Sequence, residues 1–398
     1  MASGISSTKE QAGHGSPFVS FSTVFNNYFL PDALPDLMDT SIKEQETYSI
    51  KKGDILITRT SETIDELAMS CVAVKDYPRA TYSGFTKRLR PKTAGIAYHK
   101  YLAFYLRSQL FRKAVTNNAF MTLRASFNED IFSFLSLYLP EYKEQVKIGD
   151  MLYSMEQKIQ LNKRICAELE AMAKTLYNYW FTQFDFPDEN GKPYRSSGGE
   201  MVWNDQLKRK IPKGWSAGQL SDIANITMGQ SPSGDTYNEN GRGTIFYQGC
   251  TDFGTRFPVP RVYTSAPTRF AKAGDILMSV RAPVGTLNIA MEDCCIGRGL
   301  AALNSKFGSQ LHLLYTLSGF KQLFDVMDGN GTTFGSITKD TLFEMKVVIP
   351  RRDQIKSFEE MVQPIEQKIR VAEQENRELT KLRDWLLPML MNGQATVE

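Results

Sequence analysis

Apolar residues recur at alternating steps of four and three along two stretches of this chain. From Ile148 the rule picks out Leu152, Met155, Ile159, Asn162, Cys166, Leu169, Ala173, Leu176 and Trp180. In the second stretch it picks out Phe358, Val362, Ile365, Ile369, Ala372, Asn376, Leu379, Arg383, Leu386 and Leu390. A 4-3 repeat of this length predicts a coiled-coil seam, since a general amphipathic helix drifts off the heptad. Each seam carries one Asn, Asn162 and Asn376, which either pins the register across the seam or sits on an exposed edge. Residues 141–181 as a single helix would extend about 60 Å at about 1.5 Å per residue. Neither flanking segment could bury such a helix, so the two are expected to pair with each other. With a domain ahead of each helix, antiparallel pairing predicts a rod with a domain at each end, which is the geometry of a spacer. Pro388 predicts an end or kink of the second helix near Leu387.

Ahead of each helix the pattern changes to short apolar runs punctuated by Gly and Pro. Ile55–Thr58, Met69–Val74, Ile276–Val280 and Lys346–Ile349 read as strands, and Tyr101–Val115 and Gln310–Met327 as helices. The two segments repeat one another. Gly53-Asp54-Ile55-Leu56 returns as Gly274-Asp275-Ile276-Leu277, 221 residues on. Pro140 with Glu156-Gln157-Lys158-Ile159 returns as Pro350 with Glu366-Gln367-Lys368-Ile369, and Ser126 and Asp130 as Ser336 and Asp340, all at an offset of 210. Ordered matches at nearly constant offset indicate a duplication. The expected fold is α+β: a first domain over 1–140, a long helix over 141–183, a turn-rich connection over 184–213, a second domain over 214–350, and a second long helix with its tail over 351–398.

Composition sets the class. The chain has 398 residues, 42% hydrophobic and 23% charged, a globular balance with room for two domains. No run approaches the ~20 apolar residues that span a bilayer, and the N-terminus lacks an apolar signal core. Five cysteines without C-x-x-C spacing and three scattered histidines point away from a disulfide scaffold or metal centre and fit a reducing cytoplasm. No P-loop, H-E-x-x-H helix or Asn/Asp-Pro-Pro-Tyr/Phe methyltransferase tetrapeptide is present. Pro187-Asp188-Glu189-Asn190-Gly191-Lys192 approximates a nuclease P-D…(D/E)-x-K pattern, but its last interval is one residue too long and it lies in a Gly/Pro turn. The chain is therefore expected to do no covalent chemistry itself.

Charge supplies the positive signal. Residues 75–124 contain eleven Lys or Arg against one acidic residue, Asp76, with Tyr77, Tyr82, Phe85, Tyr98 and Tyr101 interleaved. Such a patch is the footprint of phosphate binding, with Arg available for guanine edges. Lys87, Arg88, Arg90 and Lys92, beside Pro91, suggest an exposed DNA-facing loop, followed by the helix charges Arg107, Arg112 and Lys113. In the second domain residues 241–306 hold eight basic groups against four acidic ones. Arg242, Arg256, Arg281 and Arg298 are the candidates there, Arg242 and Arg298 each flanked by glycines.

These residues bring a family into view. Ile211-Pro212-Lys213-Gly214-Trp215, Leu220-Ser221-Asp222-Ile223-Ala224, Met228-Gly229-Gln230-Ser231-Pro232, Gly274 through Gly285, Cys295-Ile296-Gly297-Arg298-Gly299-Leu300, Gly331-Thr332-Thr333-Phe334 and Phe184-Asp185-Phe186-Pro187 together resemble the specificity subunit of type I restriction–modification systems, over nearly the whole chain. The resemblance implies two target-recognition domains, each reading half of a split double-stranded DNA target. It implies an antiparallel helical spacer that sets the gap and docks two modification subunits, which bring S-adenosylmethionine, with restriction subunits joining them. Gln230 and Ser231 join the DNA-contact candidates on this ground. One departure stands out: the first domain lacks a counterpart to Trp215 and Leu220–Ala224, beginning instead near Gly15-Ser16-Pro17-Phe18, which resembles Gly243-Thr244-Ile245-Phe246. Its opening strand is either dispensable or supplied by the tail after Pro388. The rival reading is a coiled-coil scaffold or adaptor with an incidental basic patch.

Overall fold

The computed structural model describes residues 1–6, 8–63, 66–93, 95–118, 125–127, 129–329 and 336–397. It divides into two compact units, one of Met1–Asn162 with Gln374–Glu398 and one of Lys163–Glu373. Among the described residues, no helix is long and apolar enough to cross a membrane. The motif Gly331–Phe334 and the basic residue Arg124 lie outside the described residues.

Each unit is α+β and built around one doubly buried strand. In the Lys163–Glu373 unit, Ile276–Ser279 lies between Leu300–Ser305 and Leu287–Ile289, with Ala224–Met228 at the far edge of the sheet. Side chains alternate across a strand, and here both faces are covered. Ile276 and Met278 pack with the helix Gln310–Gly329 in one core, while Leu277 packs against Ile245, Tyr247 and Ile296 of a second sheet. This explains an unbroken apolar run where alternation would mark a half-exposed strand. In the other unit Ile55–Thr58 repeats the arrangement, with Ile55 and Ile57 in one core and Leu56 in another.

The repeated Gly-Asp dipeptide builds the turn that enters this strand. Gly53 and Gly274 have φ of 86° and 90°, a region that favours glycine, and donate to Ala73 O and Ala290 O at 2.8 Å. Asp54 and Asp275 accept from the backbone N–H of Lys51 and Lys272, each at 2.8 Å. The second sheets also correspond: each contains one parallel pair, Phe18 with Thr81 and Phe246 with Cys295.

The long helices are Tyr142–Tyr177, continued by a π-turn over Asn178–Thr182, and Arg352–Met391. Within the first unit they run antiparallel: Glu156 meets Arg383 at 2.7 Å, Lys158 meets Glu375 at 3.2 Å, and Asn162 Nδ2 donates to Asn376 Oδ1 at 3.1 Å and to Glu375 Oε2 at 2.7 Å. Within the second unit Cys166 faces Ile369, and Trp180 packs on Phe358 at 5.9 Å. Leu152, Ile159, Asn162, Val362, Ile365, Ile369 and Asn376 are buried, while Met155, Leu169, Leu176, Leu379 and Leu386 are half-buried. Both Asn side chains therefore lie inside the seam and bond across it.

Three expectations change. The second helix does not stop at Leu387; it passes Pro388 and ends at Met391. Proline inside a helix costs about 3 kcal/mol, and burial of Leu387, Leu390 and Met391 in the first unit's core, at about 1.5–3 kcal/mol per side chain, offsets it. The stretch Tyr101–Val115 is two helices, His99–Tyr105 and Gln109–Asn118, and Ser108 caps the start of the second, its Oγ accepting from Phe111 N at 3.4 Å. The connection after the first helix is more than a loop: Met201–Asn204 and Arg209–Pro212 form a hairpin, and Phe184 and Phe186 are buried against Trp215. There Asp188 Oδ1 accepts from the N–H groups of Asn190 and Lys192, each at 2.8 Å, so the nuclease-like stretch is a closed turn.

The two domain openings differ. The second has Ser216–Gln219 paired to Lys346–Ile349, a helical turn Leu220–Ile223, and the strand Ala224–Met228. In the first, Ala2–Ser3 pairs with Thr86–Leu89. Among the described residues the tail after Pro388 forms no strand, although Ala395 and Val397 pack against the first unit's core and Lys147 Nζ donates to Val397 O at 3.2 Å.

The Asn pair yields a test. Asn162→Ala leaves Asn376 buried without its cross-seam partner and is expected to destabilise the protein by about 1–3 kcal/mol. Replacing both by Leu is expected to raise the melting temperature above that of the single variant. Denaturation of the three proteins checks this; a single variant as stable as the parent would show that the pair does not hold the seam.

Candidate nucleic-acid interface

At one end of each central strand the backbone forms a tight frame of four chain segments. In the second domain Gly229 N donates to Leu300 O at 2.9 Å, Gln230 N to Ile296 O at 3.0 Å, Gly297 N to Tyr247 O at 2.8 Å, Gly299 N to Gln248 O at 3.2 Å and Val280 N to Gly299 O at 2.9 Å. Glycine is required by the closeness of these segments. A Cβ on Gly299 would lie 2.7 Å from Gln248 O, one on Gly297 would lie 2.9 Å from Gln248 Cα, and one on Gly229 would overlap Gly297 O. From this locked backbone Gln230, Gln248, Arg281 and Arg298 emerge exposed. Ser231 Oγ accepts from Arg298 N at 3.2 Å, and Thr268 Oγ1 donates to Gln230 O.

The first domain repeats four of these five bonds. Gly4 N donates to Thr86 O at 3.3 Å, Ile5 N to Tyr82 O at 2.9 Å, Ser83 N to Val19 O at 3.0 Å and Arg59 N to Phe85 O at 2.8 Å. A Cβ on Gly4 would overlap Tyr82 O, as at Gly229. Beyond the central strand, Thr60 pairs with Ser126 as Arg281 pairs with Ser336. These bonds equate Ser6 with Ser231, Ser20 with Gln248, Thr60 with Arg281, and Gly84-Phe85 with Arg298-Gly299. The exposed groups here are Arg59 and Phe85, the latter 64% exposed.

The sequence-derived candidates divide sharply. Lys87 and Arg88 lie in the strand Thr86–Leu89, not in a loop. Arg88 Nη1 donates to Ser49 O and its guanidinium stacks over Tyr82 at 5.5 Å. Arg90 makes a two-pronged pair with the buried Asp54, both bonds 2.6 Å, and hydrogen bonding to that carboxylate holds it above the usual arginine range. Arg107 closes the C-terminal end of the helix Phe21–Asn26, donating to Val24 O and Phe25 O at 2.8 Å, to Asn27 O at 2.9 Å and to Ser70 O at 2.6 Å. Helix ends leave carbonyls unsatisfied; this guanidinium satisfies them, and burial lowers its pKa. Arg256 is 7% exposed. It pairs with Glu170 at 2.7 Å and with Glu366, one from each long helix, and burial is outweighed by these carboxylates, which raise its pKa. These four arginines make contacts that hold the fold; Arg256 is buried, Arg88 and Arg107 half-buried and Arg90 exposed. Lys92 and Lys113 are exposed and Arg112 half-buried; Arg242 is exposed between Gly241 and Gly243, in the loop that joins Tyr237–Asn238 to Thr244–Tyr247. Of the interleaved aromatics, Tyr77, Tyr82 and Tyr101 are core.

Arg59, Phe85 and Gln248 were not among the candidates. Arg59 fell outside the basic window, and Gln248 lies five residues after the Gly243 match to Gly15, a signal that was available.

Two duplicated α+β domains, each presenting a backbone-locked rim and each followed by a long helix, define a recognition protein with two related reading surfaces. The chain belongs to the family of the type I restriction modification DNA specificity domain, whose pattern it matches twice, over residues 4–171 and 212–381. A chain of Methanocaldococcus jannaschii assigned as the MjaX type I restriction enzyme specificity subunit is 28% identical, over 99% of this chain and 91% of that one. The HindI specificity subunit of Haemophilus influenzae is 24% identical over 95% of this chain and 94% of that one. The crystal structure of the type I restriction-modification system S subunit from M. genitalium shares the fold, with a TM-score of 0.58 at 15% identity, covering 98% of this chain and 92% of that one.

The division of arginines can be measured. Arg256→Ala strips two carboxylates of their buried partner and is expected to cost about 3 kcal/mol or more in stability. Arg298→Ala, at an exposed turn, is expected to stay within about 0.5 kcal/mol of the parent. Equal losses in denaturant unfolding would contradict the assignment.

Proposed function

We propose that this chain is the DNA sequence-recognition subunit of a type I restriction–modification complex. Each domain reads one half of a bipartite target, and the paired helices set the gap and seat two modification subunits. The observation that carries this is the double family match, laid over two copies of one backbone frame. A scaffold or adaptor would have no use for that duplicated rim. Methyl transfer belongs to the modification subunits, which supply S-adenosylmethionine, and cleavage to restriction subunits that join them. The chain contributes the address.

Two outcomes test this reading. The pure chain, free of modification subunits, is expected to transfer no methyl group to DNA, and adding them is expected to produce methylation at a split target. Methylation by the chain alone would overturn the division of labour. Adding one heptad to both helices extends them by about 10.5 Å. Duplex DNA rises about 3.4 Å per pair, so the gap in the methylated sequence is expected to grow by about three pairs. An unchanged gap in an active complex would show that the helices are not the ruler.

A further inference from the structure

Resting on that reading, we infer that the side chains emerging from the repeated frame are the base-reading residues: Arg59 and Phe85 in the first domain, Gln248, Arg281 and Arg298 in the second. The basic stretches of the sequence do not single out Arg59, Phe85 or Gln248, and Arg88, Arg90 and Arg107 are engaged by Ser49, Asp54 and backbone carbonyls of the fold.

Three observations converge. First, the frame is rigid. Its segments are joined by backbone hydrogen bonds of 2.7–3.3 Å and packed so closely that a Cβ is excluded at Gly4, Gly229 and Gly299. A base-reading group needs such support, because an error of about 1 Å removes a bidentate bond. Second, equivalent positions carry different chemistry. A phosphate contact bears no sequence information, so one chemistry would serve both domains equally well. Here one domain presents Gln248, Arg281 and Arg298 where the other presents Ser20, Thr60 and Gly84. Gln and Arg are the side chains that match adenine and guanine edges with two bonds. Third, the first domain's rim is lined by aromatic rings. Phe21, Phe25, Thr60 and Phe85 line a hollow of about 390 Å³ whose remaining wall includes Glu62 and Glu66. An exposed Phe on this wall suits a thymine methyl or a base face. The two half-sites are therefore read by unlike means, by polar side chains in the second domain and by an arginine with an aromatic ring in the first.

The test uses the full chain assembled with its modification subunits, acting on a pool of randomised duplexes, with methylated sequences recovered and read. The parent complex is expected to return two specified blocks. Gln248→Ala and Arg298→Ala are expected to lose about ten-fold or more of the discrimination at positions within one block and leave the other intact. Phe85→Ala is expected to relax a position in the other block only. Arg298→Lys separates base reading from phosphate binding: it retains the charge but loses the two-pronged geometry, so discrimination falls although overall affinity holds. Unchanged blocks, or weakening that is uniform over all sequences, would overturn this assignment while the parent's two blocks uphold the recognition function. A parent complex without any sequence preference would overturn the recognition function itself.

Discussion

A strand buried on both faces cannot slip. Shifting Ile55–Thr58 or Ile276–Ser279 by one residue would exchange the side chains between two different cores, placing Leu56 or Leu277 among partners shaped for Ile and Met. That constraint fixes where the strand ends, hence where Arg59 and Val280 stand. From there the backbone bonds to Phe85 and Gly299 position the third segment of the frame. The Gly-Asp turn supports the same constraint from the other end, since the left-handed glycine and the Asp-closed loop allow one entry register. The reading surface is therefore set by core packing several residues away, and its own side chains are left free to vary.

Arginine serves two opposed purposes in this fold. Arg107, half-buried, and Arg256, buried, each find more than one acceptor: four carbonyls for the first, two carboxylates for the second. A guanidinium is the side chain best able to satisfy several acceptors in fixed directions, so a helix end or a junction between helix and domain can be closed by one residue. Arg281 and Arg298 lie where no carboxylate approaches them among the described residues, on turns that project from the glycine-packed backbone. Burial cost, set against the number of acceptors within reach, sorts the two groups.

Much of the architecture is legible in the sequence, and the physical reasons for success and failure differ. The seam is readable because its period extends over many residues and any interruption would be visible. The central strands are readable because double burial writes an unbroken apolar run. Basic clustering misleads because it counts charges without their partners: Arg90 is committed to Asp54, 36 residues away, and Arg107 to carbonyls some 80 residues away. The first domain's repeat is only partly visible because its offset drifts. It is 228 at Gly15 and Gly243, 221 at Gly53 and Gly274, 214 at Tyr82 and Ile296, and 210 at Pro140 and Pro350. Loops absorb such length differences at small cost, while a search for one constant offset loses Arg59, Phe85 and Gln248.

Duplication explains why the frame and its side chains obey different rules. Once two copies are held by the same backbone bonds, a change at Gln248 or Phe85 alters neither core, seam nor the other copy. Glycines at Gly4, Gly229 and Gly299 cannot change so freely, since any side chain there would force the segments apart. Changing a reading residue therefore carries little structural cost, whereas changing a frame residue dismantles the surface on which reading depends. A protein organised this way can acquire a new half-target in one domain while its stability, its spacing and its other half-target stay as they were.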